Sequence, residues 1–321
     1  SQNLPRKAFF VGRKKVIDEV MSGLDFEERS WIVSIDGVGG VGKTALALTI
    51  GYQCWEAKRF DAVVWTESKE TYLTADVIKK GKPALRSLDD LLNTIARVFG
   101  ANQIIQLKQE EKQYEVYDLL KTKKTLLIID NLETLSEEES VAISQFLRRT
   151  PNTCKTIVTS RHRLGEGERV VRLKGMEKEE AMLLLSHECK TKSVNISSEQ
   201  QMKVYNRTGG IPLAMVWVIG QMGVKELSPE QVIERLGQAA GSPLLEYCFR
   251  GSLDLLKRNE DRLFRLMAVF AAPVGIEVLK ATSGITDQID LEDALGRLLK
   301  LSLINKEADS YYLLPLTKTF C

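Results

Sequence analysis

Gly37-Val38-Gly39-Gly40-Val41-Gly42-Lys43-Thr44 is the stretch on which the reading of this 321-residue chain turns. Its spacing is G-x-x-x-x-G-K-[ST], the pattern of a loop that wraps phosphate. Gly37, Gly39, Gly40 and Gly42, with the amides of Val41 and Ala45, let N–H groups curl toward an anion without a Cβ in the way. Lys43 brings an ammonium to β- and γ-phosphates, and the Thr44 hydroxyl suits Mg²⁺. Trp31-Ile32-Val33-Ser34-Ile35 is a β-branched, apolar strand candidate, and Thr44 to Ile50 begins a helix. Strand, glycine turn and helix N-terminus together aim a helix dipole at a phosphate. The four fixed positions match by chance in only about one chain in a hundred of this length, so nucleotide binding is the leading expectation.

Outward from the loop, composition narrows the alternatives. A chain this long exceeds one ordinary core, so two or three domains are expected. A formal charge of +2 makes no electrostatic case for nucleic acid or an anionic membrane. The five cysteines (Cys54, Cys154, Cys189, Cys248 and Cys321) include no C-x-x-C, which suits free thiols in a reducing, cytoplasmic setting. The two histidines, His162 and His187, form no cluster with cysteine, so zinc is not expected. Ser1-Gln2-Asn3-Leu4-Pro5 lacks the apolar core of a signal peptide. The apolar run Leu213 to Ile219 falls far short of the roughly 20 residues that span a bilayer. An N-terminus without Met and a helical pattern still running at Cys321 predict a piece of a longer protein.

Along the chain, Val16, Ile17, Val20 and Leu24 mark an amphipathic helix after Val11-Gly12-Arg13. Ala62 to Thr66 is a second strand. Gly81 to Arg86 reads as loop, and Ser87 caps a helix carrying Leu88, Leu91, Leu92, Ile95 and Phe99, closed by Gly100. A further helix bears Val116, Tyr117, Leu119 and Leu120. Thr125 to Ile129 is wholly apolar, the mark of a strand covered on both faces. It ends in Asp130, placed as a metal-binding acid. Thr156 to Ser160 is the next strand, with Arg161 at its carboxyl end where it can read a γ-phosphate. Val170, Val171 and Leu173 supply a fifth. Strands alternating with helices predict a parallel, doubly wound α/β sheet.

From Met176 onward strand signals vanish. Glu177 to Cys189 is one helix, and Ser197 caps another that stops at Gly209-Gly210. Pro212 stands at the first position of a third, and Ser228-Pro229-Glu230 opens a fourth. Beyond Gly241-Ser242-Pro243, Leu263, Leu266, Met267 and Phe270 have helical spacing, as do Leu291, Leu295, Leu298 and Leu299. A hairpin follows, turning at Glu307 to Ser310, and the unit reads as a winged helix.

Taken together, Val11-Gly12-Arg13, the phosphate loop, Ile128-Ile129-Asp130, Thr159-Ser160-Arg161, Gly210-Ile211-Pro212-Leu213 and the final winged helix resemble the NB-ARC class of STAND ATPases. That class is the switch module of apoptosis regulators, plant disease-resistance proteins and bacterial sensors. The resemblance implies a P-loop NTPase domain over 1–175, a helical domain over 176–240 and a winged helix over 241–321. It implies that Val11, Gly12 and Arg13 border the adenine, that Lys43, Thr44 and Asp130 hold phosphates and Mg²⁺, and that Arg161 is a sensor arginine. Pro212 would pack on the adenine, so that ADP or ATP touches separate domains. Effector and sensor domains would lie outside this chain, and the ATP state would self-associate.

Two positions depart from that pattern. Many relatives place an acid directly after the metal-binding Asp to orient water; here Asn131 stands there, with Glu133 two residues on. At most a weak ATPase is therefore expected. In the winged helix, Leu313-Leu314-Pro315-Leu316 replaces a His-Asp pair that contacts the β-phosphate of ADP, and leucine has no donor to offer. Two rival readings are a winged-helix DNA-binding regulator and a phosphotransferase. The candidate recognition helix, Leu291 to Leu301, sets Glu292 and Asp293 against Arg297 and Lys300, so it has no basic face. Asn131 is likewise a poor general base for phosphate transfer to an acceptor.

Overall fold

A computed structural model describes residues 1–7, 9–28, 30, 32–68, 71–73, 78–80, 84–160, 167–225, 228, 230–232, 234, 253, 256–270, 272–301, 303–313 and 317. They group into two compact units. The first holds Ser1–Asp36, Lys43–Tyr72 and Lys79–Leu173; the second holds Gly37–Gly42, Leu73–Ile78 and Lys174–Cys321.

In the first unit, α1 (Lys14–Gly23), β1 (Ile32–Asp36), α2 (Lys43–Glu56) and β2 (Ala62–Glu67) come first. Next along the chain are β3 (Thr71–Leu73) and β4 (Ile78–Lys80), each divided between the two units, and the first unit continues with α3 (Leu88–Phe99), α4 (Gln109–Thr122), β5 (Thr125–Asp130), α5 (Glu137–Arg148), β6 (Cys154–Ser160) and β7 (Arg169–Arg172). Five strands make one sheet in the order β2-β5-β6-β1-β7. Every pairing in it is parallel. Alternation along β5 shows that both faces are covered. Leu127 and Ile129 join the apolar cluster with Leu91, Leu92, Val116 and Phe146 of α3, α4 and α5. Ile128 faces the opposite way, against α2, where a Cβ on Gly51 would lie 2.7 Å from its Cδ1. The sheet is doubly wound, as the alternating pattern predicts.

Local chemistry sets the element ends. The Ser87 side chain accepts from the Asp90 amide at the start of α3, and Gly100 closes the helix at φ 77°. At the outer edge of β2, Gln2 bridges to Val63 in parallel. The Asn3 side chain then acts as a further peptide group, donating to the Trp65 carbonyl at 2.9 Å and accepting its amide at 2.7 Å. Burial pushes the Cys54 thiol up to about 11 and that of Cys154 up to about 12, so both stay protonated and inert at neutral pH.

The second unit opens with α6 (Lys178–Thr191), α7 (Ser198–Thr208) and α8 (Pro212–Lys225). Ser197 and Gln200 form a reciprocal capping box on α7, and Gly209 ends it in the left-handed region. Pro212 is the first residue of α8, where its fixed φ and missing N–H are harmless. Then follow α9 (Arg258–Val269), β8 (Val274–Gly275), α10 (Ile276–Ser283), α11 (Gln288–Lys300), β9 (Asn305–Glu307) and β10 (Ser310–Tyr312). The three strands make one antiparallel sheet in the order β8-β10-β9. One periodicity reading needs correcting: α9 ends before Phe270, and Phe264 takes the buried place beside Leu263 and Met267. Pro229 and Gly241-Ser242-Pro243 lie outside the described residues. Among the described residues, no helix is long and apolar enough to cross a membrane.

Gly175 tests how tightly this unit is built. A Cβ there would sit 2.2 Å from the Gly209 carbonyl oxygen, and a backbone atom has no rotamer by which to retreat. Gly175→Ala is expected to lower stability by about 3 kcal/mol in chemical denaturation. An unchanged midpoint would show that the 175 and 209 segments are not packed this closely.

Candidate phosphate and metal site

Asp130 is the centre of the polar cluster in the first unit. It ends the fully buried β5 and is itself 0% exposed. A carboxylate that deep needs partners. The Thr44 hydroxyl, in the first turn of α2, reaches both of its oxygens at 2.9 Å. The Thr159 hydroxyl on β6 donates to Oδ1 at 2.5 Å, and Asn131 Nδ2 donates to Oδ2 at 3.1 Å. Thr159 also accepts the Asn131 amide at 3.0 Å, holding Asn131 at φ 59°. Thr44 and Asp130, read from separate motifs, are thus brought together. The sequence reading assigns Thr159 no role of its own. Its signal lay in sheet register, because adjacent parallel strands bring it beside Asp130.

Lys43 precedes Thr44 on α2 and is 7% exposed. In the loop before it, Gly40 (φ 77°) and Gly42 (φ 104°) adopt backbone that side-chain-bearing residues rarely tolerate. Within the second unit, the Gly40 carbonyl accepts the Leu213 amide at 3.1 Å. A Cβ on Gly42 would lie 3.9 Å from Pro212 Cγ, so Pro212 borders the loop. Further upstream, Gly12 (φ 73°) and Arg13 (φ 64°) are consecutive left-handed residues that turn the chain into α1. Arg13 is 7% exposed, and its carbonyl accepts from Ile17 at 2.8 Å. Val11 is half-buried just before them. Arg161 and Leu314-Pro315-Leu316 lie outside the described residues.

The donor chemistry fits Mg²⁺ and a nucleotide. A hydroxyl and a carboxylate are the hard oxygen donors that Mg²⁺ prefers, and it takes only one or two from protein alongside phosphate and water. Glycines at positive φ carry no Cβ to block an anionic oxygen that approaches the loop backbone. Among the described residues, no group of His, Cys, Asp and Glu offers an alternative metal cluster.

Comparison with known proteins agrees with this geometry. The NB-ARC domain family matches residues 13–195, more than half of the chain. The chain belongs to the NB-ARC family. This NB-ARC chain is 24% identical to "Transcription activator GutR" of Bacillus subtilis over 96% of its own length and 39% of that protein. It is 29% identical to "Putative disease resistance RPP13-like protein 3" of Arabidopsis thaliana, over 62% of its own length and 23% of that protein. It therefore spans well under half of either relative. The Walker-type ATPase paby2304 of Pyrococcus abyssi superposes with a TM-score of 0.64 at 14% identity, covering 97% of this chain and 95% of that one. That likeness establishes the fold of a P-loop NTPase.

Proposed function

We propose that this NB-ARC chain is a nucleotide-gated switch that binds ADP and ATP with Mg²⁺. The observation that carries the proposal is the hydrogen bond between Thr44 and Asp130 at the end of the phosphate loop. In this reading Gly37, Gly39, Gly40, Val41, Gly42 and Ala45 present backbone to the phosphates. Lys43 neutralises them, and Thr44 and Asp130 hold the metal. Val11, Gly12, Arg13 and Pro212 frame the base, and Arg161 reads the γ-phosphate. When bound, Mg²⁺ supplies charge neutralisation at the β- and γ-oxygens. The domain reading is 1–175, 176–240 and 241–321. The order α9-β8-α10-α11-β9-β10 supports a winged helix for the last of these.

ADP would hold a closed monomer, and ATP would favour an open form that self-associates, in a cytoplasmic protein with further sensor and effector domains. Such control requires differential affinity: moving a population from 1:99 to 99:1 takes about 5.5 kcal/mol. Turnover is expected to be slow beside motor ATPases, because Asn131 offers an amide where an acid would orient water. Nucleotide released from the purified chain and identified by chromatography should be ADP or ATP. A chain that is empty and indifferent to adenine nucleotides with magnesium ends this reading. A second reading, a DNA-binding regulator, draws support from the relative named as a transcription activator. Against it, α11 carries exposed Glu292 and Asp293 beside Arg297. Salt-dependent binding to duplex DNA by this chain would favour that reading.

A further inference from the structure

We propose that Glu67, at the carboxyl end of β2, is the catalytic base for ATP hydrolysis in this protein, the role that Asn131 is unable to fill. The inference rests on the nucleotide reading above. Its starting point is register: Glu67 on β2 is the direct partner of Asp130 on β5. Paired residues on adjacent parallel strands share a face, with their strands about 4.8 Å apart. Val64 and Leu127, also partners, face the α3–α5 cluster, so Glu67 and Asp130, each an odd number of residues further on, share the opposite face. That is the face on which α2 brings Thr44 to the Asp130 carboxylate. Glu67, Asp130 and Thr159 therefore form one lateral row at the strand ends, on the face where Thr44 meets Asp130.

The backbone around Glu67 is fixed from both sides. Its carbonyl accepts the Leu85 amide at 2.9 Å, and the next amide, Ser68, donates to the Asp130 carbonyl at 3.0 Å. The Ser68 hydroxyl donates to the Asn131 carbonyl, tying the tip of β2 to the turn after β5. Glu67 is half-buried and one methylene longer than Asp130. A shorter acid held by two threonines thus stands beside a longer one on the neighbouring strand. Asn131 is already turned back onto Asp130, where its amide donates. Glu133 sits beyond the left-handed Asn131, in a short 3₁₀ segment that is not part of the row.

In the step proposed, a water oxygen forms a bond to the γ-phosphorus while Glu67 takes the proton from the breaking O–H bond. The bond from the γ-phosphorus to the bridging oxygen breaks, and its electron pair leaves with ADP. Glu67 then returns its proton to solvent.

The test uses the full 321-residue chain as wild type, Glu67→Gln and Glu133→Gln. It combines single-turnover MgATP hydrolysis, MgADP affinity and affinity for MgADP with aluminium fluoride, which mimics the transition state. Glu67→Gln is expected to slow hydrolysis by about 10²–10⁴-fold while leaving MgADP affinity within about twofold. It should weaken the fluoride complex by about tenfold or more, since that contact forms only around in-line water. Glu133→Gln should behave as wild type. Hydrolysis by Glu67→Gln at the wild-type rate overturns the proposal, as does loss of MgADP binding in that variant, which would make Glu67 structural. A wild type that binds nucleotide yet shows no turnover above buffer also overturns it. A wild type that binds neither MgADP nor MgATP instead overturns the nucleotide reading itself.

Discussion

Lys43→Ala is expected to leave the purified chain without nucleotide. Lys43 lies in the first turn of α2 and is almost fully buried, where attraction between its ammonium and a phosphate would be little screened by water. Hydrogen bonds to charged groups contribute roughly 1.5–3 kcal/mol each. Losing one or two of them, plus the charge, corresponds to an affinity loss of about 10²–10³-fold. That is enough to empty a site through purification. The measurement is nucleotide content after desalting, then MgADP titration. Because alanine favours helix and α2 keeps its apolar side on Leu46, Ala47 and Ile50, the variant should fold. A folded Lys43→Ala chain that still carries nucleotide would remove the loop from the binding role.

The second large effect is on stability. Phe146 of α5 is 2% exposed and stacks on Tyr117 of α4 with ring centroids 4.9 Å apart. The Tyr117 hydroxyl also donates to the Phe146 carbonyl at 3.2 Å. Phe146→Ala would open a cavity between two helices and the sheet face carrying Leu127 and Ile129. Burial lost plus the unfilled space should destabilise the first unit by about 3–5 kcal/mol. Urea titration followed by tryptophan fluorescence checks this. A loss below about 1 kcal/mol would mean that the α4–α5 contact collapses around the gap instead of retaining it.

What could be read from residues alone was the part that is local. The Ser87 and Ser197 caps, the Gly100 and Gly209 stops and Pro212 at a helix start each depend on a few neighbouring residues, and each is found where its chemistry points. The all-apolar Thr125–Ile129 run announced a strand with two covered faces. The rest depends on pairing across long separations. That β1 lies between β6 and β7 follows from helix crossovers that leave no local trace. Thr159 beside Asp130, and Glu67 beside it on the other side, emerge only once β2, β5 and β6 are in register. The two-residue β8 is too short for any alternation to show. Phe270 matched the helical period, yet the helix ended one residue earlier and Phe264 filled the space.

Asn3 bears on how any assembly of this chain is to be interpreted. Its carboxamide occupies the donor and acceptor that Trp65 would otherwise offer to a neighbouring molecule, and Gln2 occupies Val63. An open strand margin is a template on which unrelated copies stack into aggregates. Trimming those opening residues would uncover that margin, giving oligomers that grow with protein concentration whatever ligand is present. Particles counted in an association assay are informative about a switch only when this margin is covered.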